Sequence, residues 1–349
     1  MKDVGRSWLR INADELVMQT VMGQIAHPVG RENPYRVGQD GIPRVLPGTG
    51  GIVLNCRIGD PCVGLAADHV EPGVALHNNG RETIGPANGP MLALLTSACV
   101  GNHARVASGP ARGSVGMVTG KHGGVNHVLV DFDTKILKRL NIGDRIQIYA
   151  CGLGLQLLDF PEVAVTNCAP GLLRRWAPRP VGRALEVPVT HTLPAAIIGS
   201  GLGKNNVWRG DFDIQLFDPP TRRRHRLETL RFGDLVAITD SDARYGAAWR
   251  GGRVTIGVVV HSDSTVSSHG PGVTALLTGP AACLRPVRDA AANIAFLYGR
   301  RDFVPPRART PLTSRGAARR LALPSGPATN LLLDFNRRDP GESVRASKN

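Results

Sequence analysis

The chain has 349 residues, 42% of them hydrophobic, and a formal net charge of +14. This length allows two domains, because single cores usually stop growing at about 250–300 residues. The first residues lack the apolar core of a signal peptide, and no run reaches the roughly 18 apolar residues of a membrane span. The six cysteines include no C-x-x-C pair, which argues against a disulfide or zinc-finger framework. We therefore expect a cytoplasmic protein that has no membrane partner.

The excess positive charge is concentrated in two stretches, residues 222–226 and 300–349. No aromatic-interleaved motif accompanies this charge, so a basic surface with a solvated tail is favoured over nucleic-acid binding. The stretch 300–349 is rich in arginine, proline and serine and has no sustained apolar period. It is therefore predicted to be a disordered basic tail.

Glycine (42 residues) and proline (26 residues) are both abundant, and long helical periodicity is missing. This composition favours short strands that are joined by defined turns. The predicted fold is mainly β, barrel- or sandwich-like, with a few short helices. We expect two packed β-rich domains, residues 1–185 and 186–299, with the boundary in a proline- and arginine-rich segment.

The N-terminal half has the hairpin-rich pattern of a small β-barrel. Residues 112–133 are predicted to form a strand, a glycine turn and a second strand. Further strands are predicted at Glu15–Ile25, Ile52–Asn55, Val63–His69 and Ile146–Ala150. A helix is predicted near Gly171–Trp176, just before the boundary. In the C-terminal half we expect strands at Asp211–Phe217, Leu235–Thr239 and Val254–His261, a loop at Thr221–Arg226 and a helix within 286–298.

Polar groups lie at strand ends and turns in the N-terminal half. Asp68 and His69 end a predicted strand, with Glu71 next, and His122 lies in a glycine turn. Strand ends often carry chemistry because the scaffold fixes them and loops leave them accessible. A surface turn with ordinary polar residues is the alternative. Gly50 and Gly51 close a loop whose N–H groups could bind an anionic ligand, although it lacks a Walker or dinucleotide spacing and a structural turn is favoured.

The C-terminal half holds the densest group of acids and histidines. One predicted strand leads into Asp240 and Asp242, and the next ends at His261. His269 follows, immediately before a turn that contains Gly270 and Gly272, both candidate ligand contacts.

This mixture of oxygen and imidazole ligands suits zinc, manganese or iron. The candidate metal ligands are His261, His269 and Asp240, and the cofactor, if any, is a divalent ion that would activate water. Without a metal, an Asp–His pair could serve as a general base and its orienting partner. Purely structural hydrogen bonding is the further alternative.

Several motifs carry a resemblance to a known family. They are VLPGTGGIV at Val45–Val53, ADHVEPGV at Ala67–Val74, VTGKHGG at Val118–Gly124, HVLVDF at His127–Phe132, LRFGDLVAI at Leu230–Ile238 and VTIGVVVHSDS…HGPGV at Val254–Val273. Over residues 12–298 the chain resembles the uncharacterised prokaryotic proteins catalogued as domain of unknown function family 4438. This resemblance implies a mainly β, two-part soluble protein and supplies no catalytic residue. A looser resemblance of Gly233–Asp242 to acetamidase/formamidase-type amidohydrolases rests on a Gly-Asp turn, a strand and an acidic turn.

The leading hypothesis is a hydrolase, or a related lyase or cyclase, that acts on a small polar carbonyl compound. Its catalytic cluster would comprise Asp240, Asp242, His261 and His269, faced across the domain interface by Asp68, His69 and His122. Pockets are common at such interfaces. The alternatives are a non-catalytic ligand-binding or assembly protein, including a homo-oligomer, and a nucleic-acid-binding protein that uses the arginine-rich tail.

Overall fold

The computed structural model of the chain describes residues 9–29, 35–78, 89–203 and 205–301. The strands are β1 (Gln19–Ile25), β2 (Arg36–Val37), β3 (Pro43–Arg44), β4 (Ile52–Val53), β5 (Gly73–His77), β6 (His103–Val106), β7 (Val115–His122), β8 (His127–Asp131), β9 (Arg145–Ala150), β10 (Ala164–Val165), β11 (Arg179–Val181), β12 (Ala184–Val189), β13 (His191–Pro194), β14 (Phe212–Asp213), β15 (Leu235–Asp242), β16 (Ala248–Val259), β17 (Gly272–Pro280) and β18 (Leu284–Arg288). The helices are α1 (Gly89–Ser97), α2 (Thr134–Leu137), α3 (Pro170–Trp176), α4 (Pro219–His225) and α5 (Ile294–Leu297), with short 3₁₀ turns at Ala13–Glu15, Ala195–Ile197 and Leu227–Thr229.

The first half forms a closed antiparallel barrel. Six strands pair in the order β1-β9-β6-β7-β8-β5, and β5 pairs back with β1. Closure leaves no open edge in this ring of strands. A fully buried apolar cluster, which includes Leu76, Val118, Val130 and Ile148, fills the space between these strands and α1. The mainly β prediction with a barrel is therefore confirmed.

The second half is built on a sheet ordered β10-β17-β16-β15-β13, with β14 paired to β17. Both faces of this sheet are buried. On β16, Ile256 and Val258 belong to one apolar cluster, whereas Val259 packs with Val273 and Ala275 in another. Burial on both faces explains why the strands in this stretch are nearly continuous apolar runs. A smaller sheet, β11-β12-β18, lies beside it, and β7 of the barrel packs against β17.

Several predicted elements are confirmed. The structure has the 112–133 hairpin as β7 and β8, the short helix near residue 171 as α3, and the two long strands of the second half as β15 and β16. Other predictions are wrong in extent. The first strand begins at Gln19, after a 3₁₀ turn, and the strand expected at 211–217 covers only Phe212–Asp213. Residues 286–298 are split between the end of β18 and the short helix α5.

Two predicted elements are of the wrong type. Residues 63–69 form no strand, because their backbone hydrogen bonds go to loop residues such as Asp263, which accepts from His69 N–H at 3.2 Å. Residues 221–225 of the loop expected at 221–226 belong to helix α4. Asp218 caps this helix by accepting from Thr221 N–H at 3.0 Å, and Pro219 begins it with a preset φ.

All described residues lie within one compact unit, Met1–Pro305, and the boundary at residue 185 stays a prediction. The predicted tail lies outside the described residues from position 302 onward. Its first members, Arg300 and Arg301, form ion pairs with Asp133 (3.4 Å) and Asp60 (2.6 Å). Within the described parts of the chain, no helix is long and apolar enough to span a membrane.

Candidate metal centre

Strand register brings two aspartates and a histidine together at one end of the second sheet. Asp213 on β14 stands directly across from Gly272, the first residue of β17. Val260 follows β16 and donates its N–H to the Gly272 carbonyl at 2.9 Å. The next residue, His261, is therefore placed beside Asp211 and Asp213.

The other contributions come from the barrel half. His122 is the last residue of β7 and is buried. His69 lies on the loop before β5. Hydrogen bonds fix this loop to the segment that follows His261. Ser262 N–H donates to the Val70 carbonyl at 3.0 Å, and Val70 N–H donates to Ser262 Oγ at 2.9 Å. These bonds hold the loop of one half against a strand end of the other.

The result is a cluster of four imidazole rings. The ring centroids of His122 and His261 are 4.2 Å apart, those of His69 and His261 4.9 Å, and those of His69 and His269 4.8 Å. His69, His122 and His261 are buried, whereas the His269 side chain is 31% exposed. Residues that are distant in sequence and lie in both halves of the chain therefore share one site.

Each of the three buried histidines has its Nδ1 held by an oxygen atom. His69 Nδ1 bonds Asp68 Oδ1 at 2.7 Å, and His122 Nδ1 bonds Glu71 Oε1 at 2.7 Å. His261 Nδ1 bonds the Ser262 carbonyl at 2.9 Å. An imidazole that donates from Nδ1 keeps its lone pair on Nε2, which is the arrangement found behind histidine metal ligands.

The aspartates supply oxygen atoms beside these nitrogens. Asp211 Oδ2 lies 2.8 Å from His261 Nε2, and Asp213 Oδ1 lies 3.5 Å from it. The approach of Asp211 to His261 lacks hydrogen-bond alignment, and among the described residues neither Asp211 Oδ2 nor His261 Nε2 has a hydrogen-bond partner. Asp211 is oriented by its other oxygen, which accepts from Gly123 N–H at 2.8 Å.

Two sets of three donors meet the spacing of a metal site within the described residues. They are His69, Asp213 and His261, and His122, Asp211 and His261, and in each set the donor atoms lie within 4.8 Å of one another. Donor atoms that each lie about 2.0–2.2 Å from one zinc ion are separated from one another by distances similar to those within each set. The site could therefore hold an ion through imidazole nitrogens and carboxylate oxygens.

The local electrostatics favour positive charge at the centre of the cluster. Burial by itself lowers the pKa of His261, but the carboxylates of Asp211 and Asp213 outweigh it and raise that pKa well above its usual value. Glu71 is fully buried, which by itself raises its pKa. Hydrogen bonds and charge from His122 and His127 reverse this effect and hold the Glu71 carboxyl well below its ordinary pKa. The Glu71 carboxylate therefore lies on the Nδ1 side of His122, and the carboxylates of Asp211 and Asp213 lie on the Nε2 side of His261.

A cavity of about 440 Å³ opens onto this cluster. His69, His122, His269 and Asp68 line its polar wall. Asp211, Asp213 and His261 lie behind that wall and are not among its lining residues. A small molecule that enters the cavity would therefore meet the exposed side of the donor set.

Asp240 and Asp242 do not join the cluster. They lie at the far end of β15, because β15 and β16 run antiparallel and Asp242 pairs with Ala248 at the start of β16. His261 follows Val254, the partner of Thr239, by seven residues, which corresponds to about 23 Å of extended strand. Asp242 instead holds Arg244 and Arg253 (both at 2.9 Å), and Asp240 accepts from Gly252 N–H.

The predicted ligand-contacting glycines have different surroundings. Gly50 N–H donates to Glu71 Oε2 at 2.6 Å, so it supports the carboxylate that holds His122, and Gly51 packs against Pro28. A side chain at Gly270 would strike the Ile214 carbonyl. Only Gly272 directly faces the donors, since a Cβ at this position would collide with both Asp211 Oδ2 and His261 Nε2.

The sequence interpretation did not select Asp211 and Asp213. Their Asp-x-Asp spacing is the same as that of Asp240 and Asp242. This spacing was the feature of the sequence that could have identified them as candidate ligands. In an extended segment both aspartates of such a pair point to the same side. The spacing alone does not say which of the two pairs meets His261, because that depends on strand pairing.

The fold and the cluster together define a mainly β protein that has a closed barrel and a buried histidine–carboxylate site. The chain belongs to domain of unknown function family 4438 (DUF4438). The model of its N-terminal domain matches residues 35–174, and the model of its C-terminal domain matches residues 180–298. This match confirms the resemblance that the sequence motifs indicated.

The crystal structure of TM1086 is similar to this chain. The two are 42% identical, the similarity covers 83% of this chain and 99% of that chain, and the TM-score is 0.77. No curated protein matches the chain. Family and fold do not by themselves define an activity, so the function has to follow from the site.

Proposed function

We propose that the chain is a metal-dependent hydrolase whose ion is held by His69, His122, His261 and the carboxylates of Asp211 and Asp213. One observation carries the proposal. Asp211 Oδ2 and His261 Nε2 are buried and form an ion-pair contact of 2.8 Å that lacks hydrogen-bond alignment, and neither atom has a hydrogen-bond partner among the described residues. An unsatisfied buried polar group costs about 1–3 kcal/mol, and a shared cation would remove that cost for both atoms.

The donor set favours one transition-metal ion. Imidazole and carboxylate ligands in this proportion suit zinc, manganese or iron, whereas magnesium and calcium prefer oxygen ligands. His261 belongs to both candidate donor sets, and its Nδ1 is already bonded to the Ser262 carbonyl. Only its Nε2 is free to bind a metal, so the two sets share a single ion.

The reaction would take place on the side of the cluster that faces the cavity. His69 and His122 line the cavity, so water and substrate would reach the ion from that side. A bound ion lowers the pKa of its water to about 7 and polarises a substrate carbonyl. His269 lies on the same wall with Nδ1 at 2.9 Å from Asp213 Oδ2, and it would carry the proton to the leaving group. The substrate class is a small polar carbonyl compound such as an amide, an ester or a lactone.

Metal analysis tests the binding step. Chelator-treated protein is dialysed against Zn²⁺, Mn²⁺ or Fe²⁺, and the retained metal is measured by mass spectrometry. We expect one ion per chain, and we expect it to be lost in His261→Ala and in Asp211→Asn. The Asp211→Asn variant keeps an oxygen that can accept from Gly123 N–H, so it removes the charge and not this hydrogen bond. The matched control His103→Ala changes an exposed histidine on β6 and should retain the ion. A wild-type chain without stoichiometric metal, or a His261→Ala variant that keeps it, contradicts the proposal.

Hydrolysis tests the catalytic step separately. The metal-loaded protein is assayed against a panel of amides, esters and lactones, and His269→Gln should lower kcat by about 10²–10⁴-fold with the metal still bound. If the loaded protein hydrolyses no member of the panel, the non-catalytic binding protein becomes the better hypothesis.

A further inference from the structure

The cavity beside the histidines is lined by two chemically different sets of side chains, called here the polar wall and the aliphatic wall. His69, His122, His269 and Asp68 line one of them. The other carries aliphatic side chains, contributed by Val29, Val45, Leu46 and Val125. Since both walls enclose the same cavity of about 440 Å³, a single small molecule would touch both.

The aliphatic wall is in contact with water. Val45 is 61% exposed and Val29 is 43% exposed, and Leu46 and Val125 are partly exposed. Single exposed apolar residues are ordinary on protein surfaces. These four line the same cavity as the histidines, so an apolar group bound against them would remove their surface from water.

The charged side chains among the described lining residues are Arg36 and Asp68, and they form an ion pair with each other. Asp68 is further engaged by His69 Nδ1 at 2.7 Å. The charge of Arg36 is therefore balanced by Asp68 within the lining of the cavity. A neutral group next to the aliphatic wall would leave this ion pair intact.

From these features we infer that the substrate carries a neutral aliphatic group attached to the carbonyl that faces the histidines. The inference rests on the proposed function, because the ion fixes the carbonyl end of the ligand. The substrate class becomes an amide or ester of an aliphatic acid, with its chain along Val29, Val45, Leu46 and Val125. A purely polar carbonyl compound would leave that wall uncovered.

Alkyl hydroxamates test this assignment, because a hydroxamate binds an accessible metal ion and its alkyl chain can be lengthened stepwise. Zn²⁺-loaded protein is titrated calorimetrically with acetohydroxamate, butyrohydroxamate, hexanohydroxamate and octanohydroxamate, and its metal content is checked afterwards. The affinity should rise about fourfold for each methylene that the wall covers. In a Val29→Asn/Val45→Asn double variant this dependence on chain length should flatten, while acetohydroxamate affinity stays within about twofold of wild type.

A Val37→Asn variant is the matched control, since Val37 is 59% exposed and does not line the cavity. It should keep the wild-type dependence on chain length. If acetohydroxamate binds but longer chains gain nothing, or if the double variant keeps the full gain, the aliphatic subsite is wrong and the metal site stands. If metal-loaded protein binds no hydroxamate, the accessible ion of the proposed function is wrong, and this inference fails with it.

Discussion

The hydroxyl of Thr274 bonds both backbone polar groups of Lys121. It accepts from Lys121 N–H at 3.1 Å and donates to the Lys121 carbonyl at 2.9 Å. Thr274 lies on β17 of the second sheet and Lys121 on β7 of the barrel, and both are fully buried. His122 is the next residue along β7, so this link sets its distance from His261.

Removal of this hydroxyl should affect both stability and metal binding. A Thr274→Val variant leaves polar backbone groups of Lys121 unsatisfied, which should lower the free energy of unfolding by about 1–3 kcal/mol. Metal affinity should fall as well, because His122 loses its fixed position. Urea unfolding and metal titration measure the two effects. A Thr255→Val control removes a buried hydroxyl that bonds Ser241 and Thr278 within the second sheet, and it should lower stability alone.

Glu71 is expected to act through the histidine that it orients. Its carboxylate bonds His122 Nδ1 at 2.7 Å, His127 Nδ1 at 3.0 Å and Gly50 N–H at 2.6 Å. A Glu71→Gln variant should bind metal about 10–100-fold more weakly, as is usual when the partner of a metal-bound histidine is changed. Competition with a chromogenic chelator gives the affinity. Glu186→Gln removes a carboxylate from surface ion pairs with Arg179 and Arg285, so an equal loss there would contradict a specific role for Glu71.

A methyl group at Gly272 should abolish metal binding. A Cβ at this position would collide with Asp211 Oδ2 and His261 Nε2, the two atoms that lack partners. Gly272→Ala should therefore push the donors apart and lose the ion, which equilibrium dialysis would show. Gly251→Ala is the control, because nothing lies within 4 Å of a Cβ there. Metal bound by Gly272→Ala with wild-type affinity would place the ion elsewhere.

The two Asp-x-Asp pairs should respond differently to removal of charge. Asp213→Asn takes a carboxylate from beside His261 and His269, and metal affinity should fall by at least about tenfold, close to 1.4 kcal/mol. Asp242→Asn should leave metal affinity unchanged, since its partners are Arg244 and Arg253 at the other end of β15. Calorimetric titration with the metal gives the affinity of both variants. A large loss of metal affinity in Asp242→Asn would count against the ligand assignment.

His191 should make folding stability sensitive to pH. Burial lowers its pKa from 6.5 to about 4. Between these pH values the unfolded chain binds the proton more readily than the folded chain, so stability is present above pH 6.5 and falls as the pH drops towards 4. The full loss from this group is about 3 kcal/mol. Urea unfolding of His191→Gln across this window should show a smaller loss than wild type by that amount, and parallel curves would contradict the assignment.

The sequence by itself determined the fold class and identified the histidines of the candidate site. Glycine turns and short apolar runs predicted the β7–β8 hairpin and the strands β15 and β16, because turn chemistry and runs of apolar residues are local properties. His69, His122, His261 and His269 were selected because each lies at a strand end or a turn. The loop at 63–69 and helix α4 were predicted incorrectly, since non-local hydrogen bonds hold the first and local capping starts the second.

Only the tertiary structure decided which carboxylates accompany those histidines. Antiparallel pairing carries Asp242 to the start of β16, whereas the pairing of β14 with β17 brings Asp213 next to Gly272 and His261. Strand order and register are set by contacts between residues that are far apart in sequence, so two identical Asp-x-Asp spacings cannot be told apart locally. The same holds for Thr274 and Lys121, 153 positions apart, whose hydrogen bonds join the two halves of the site.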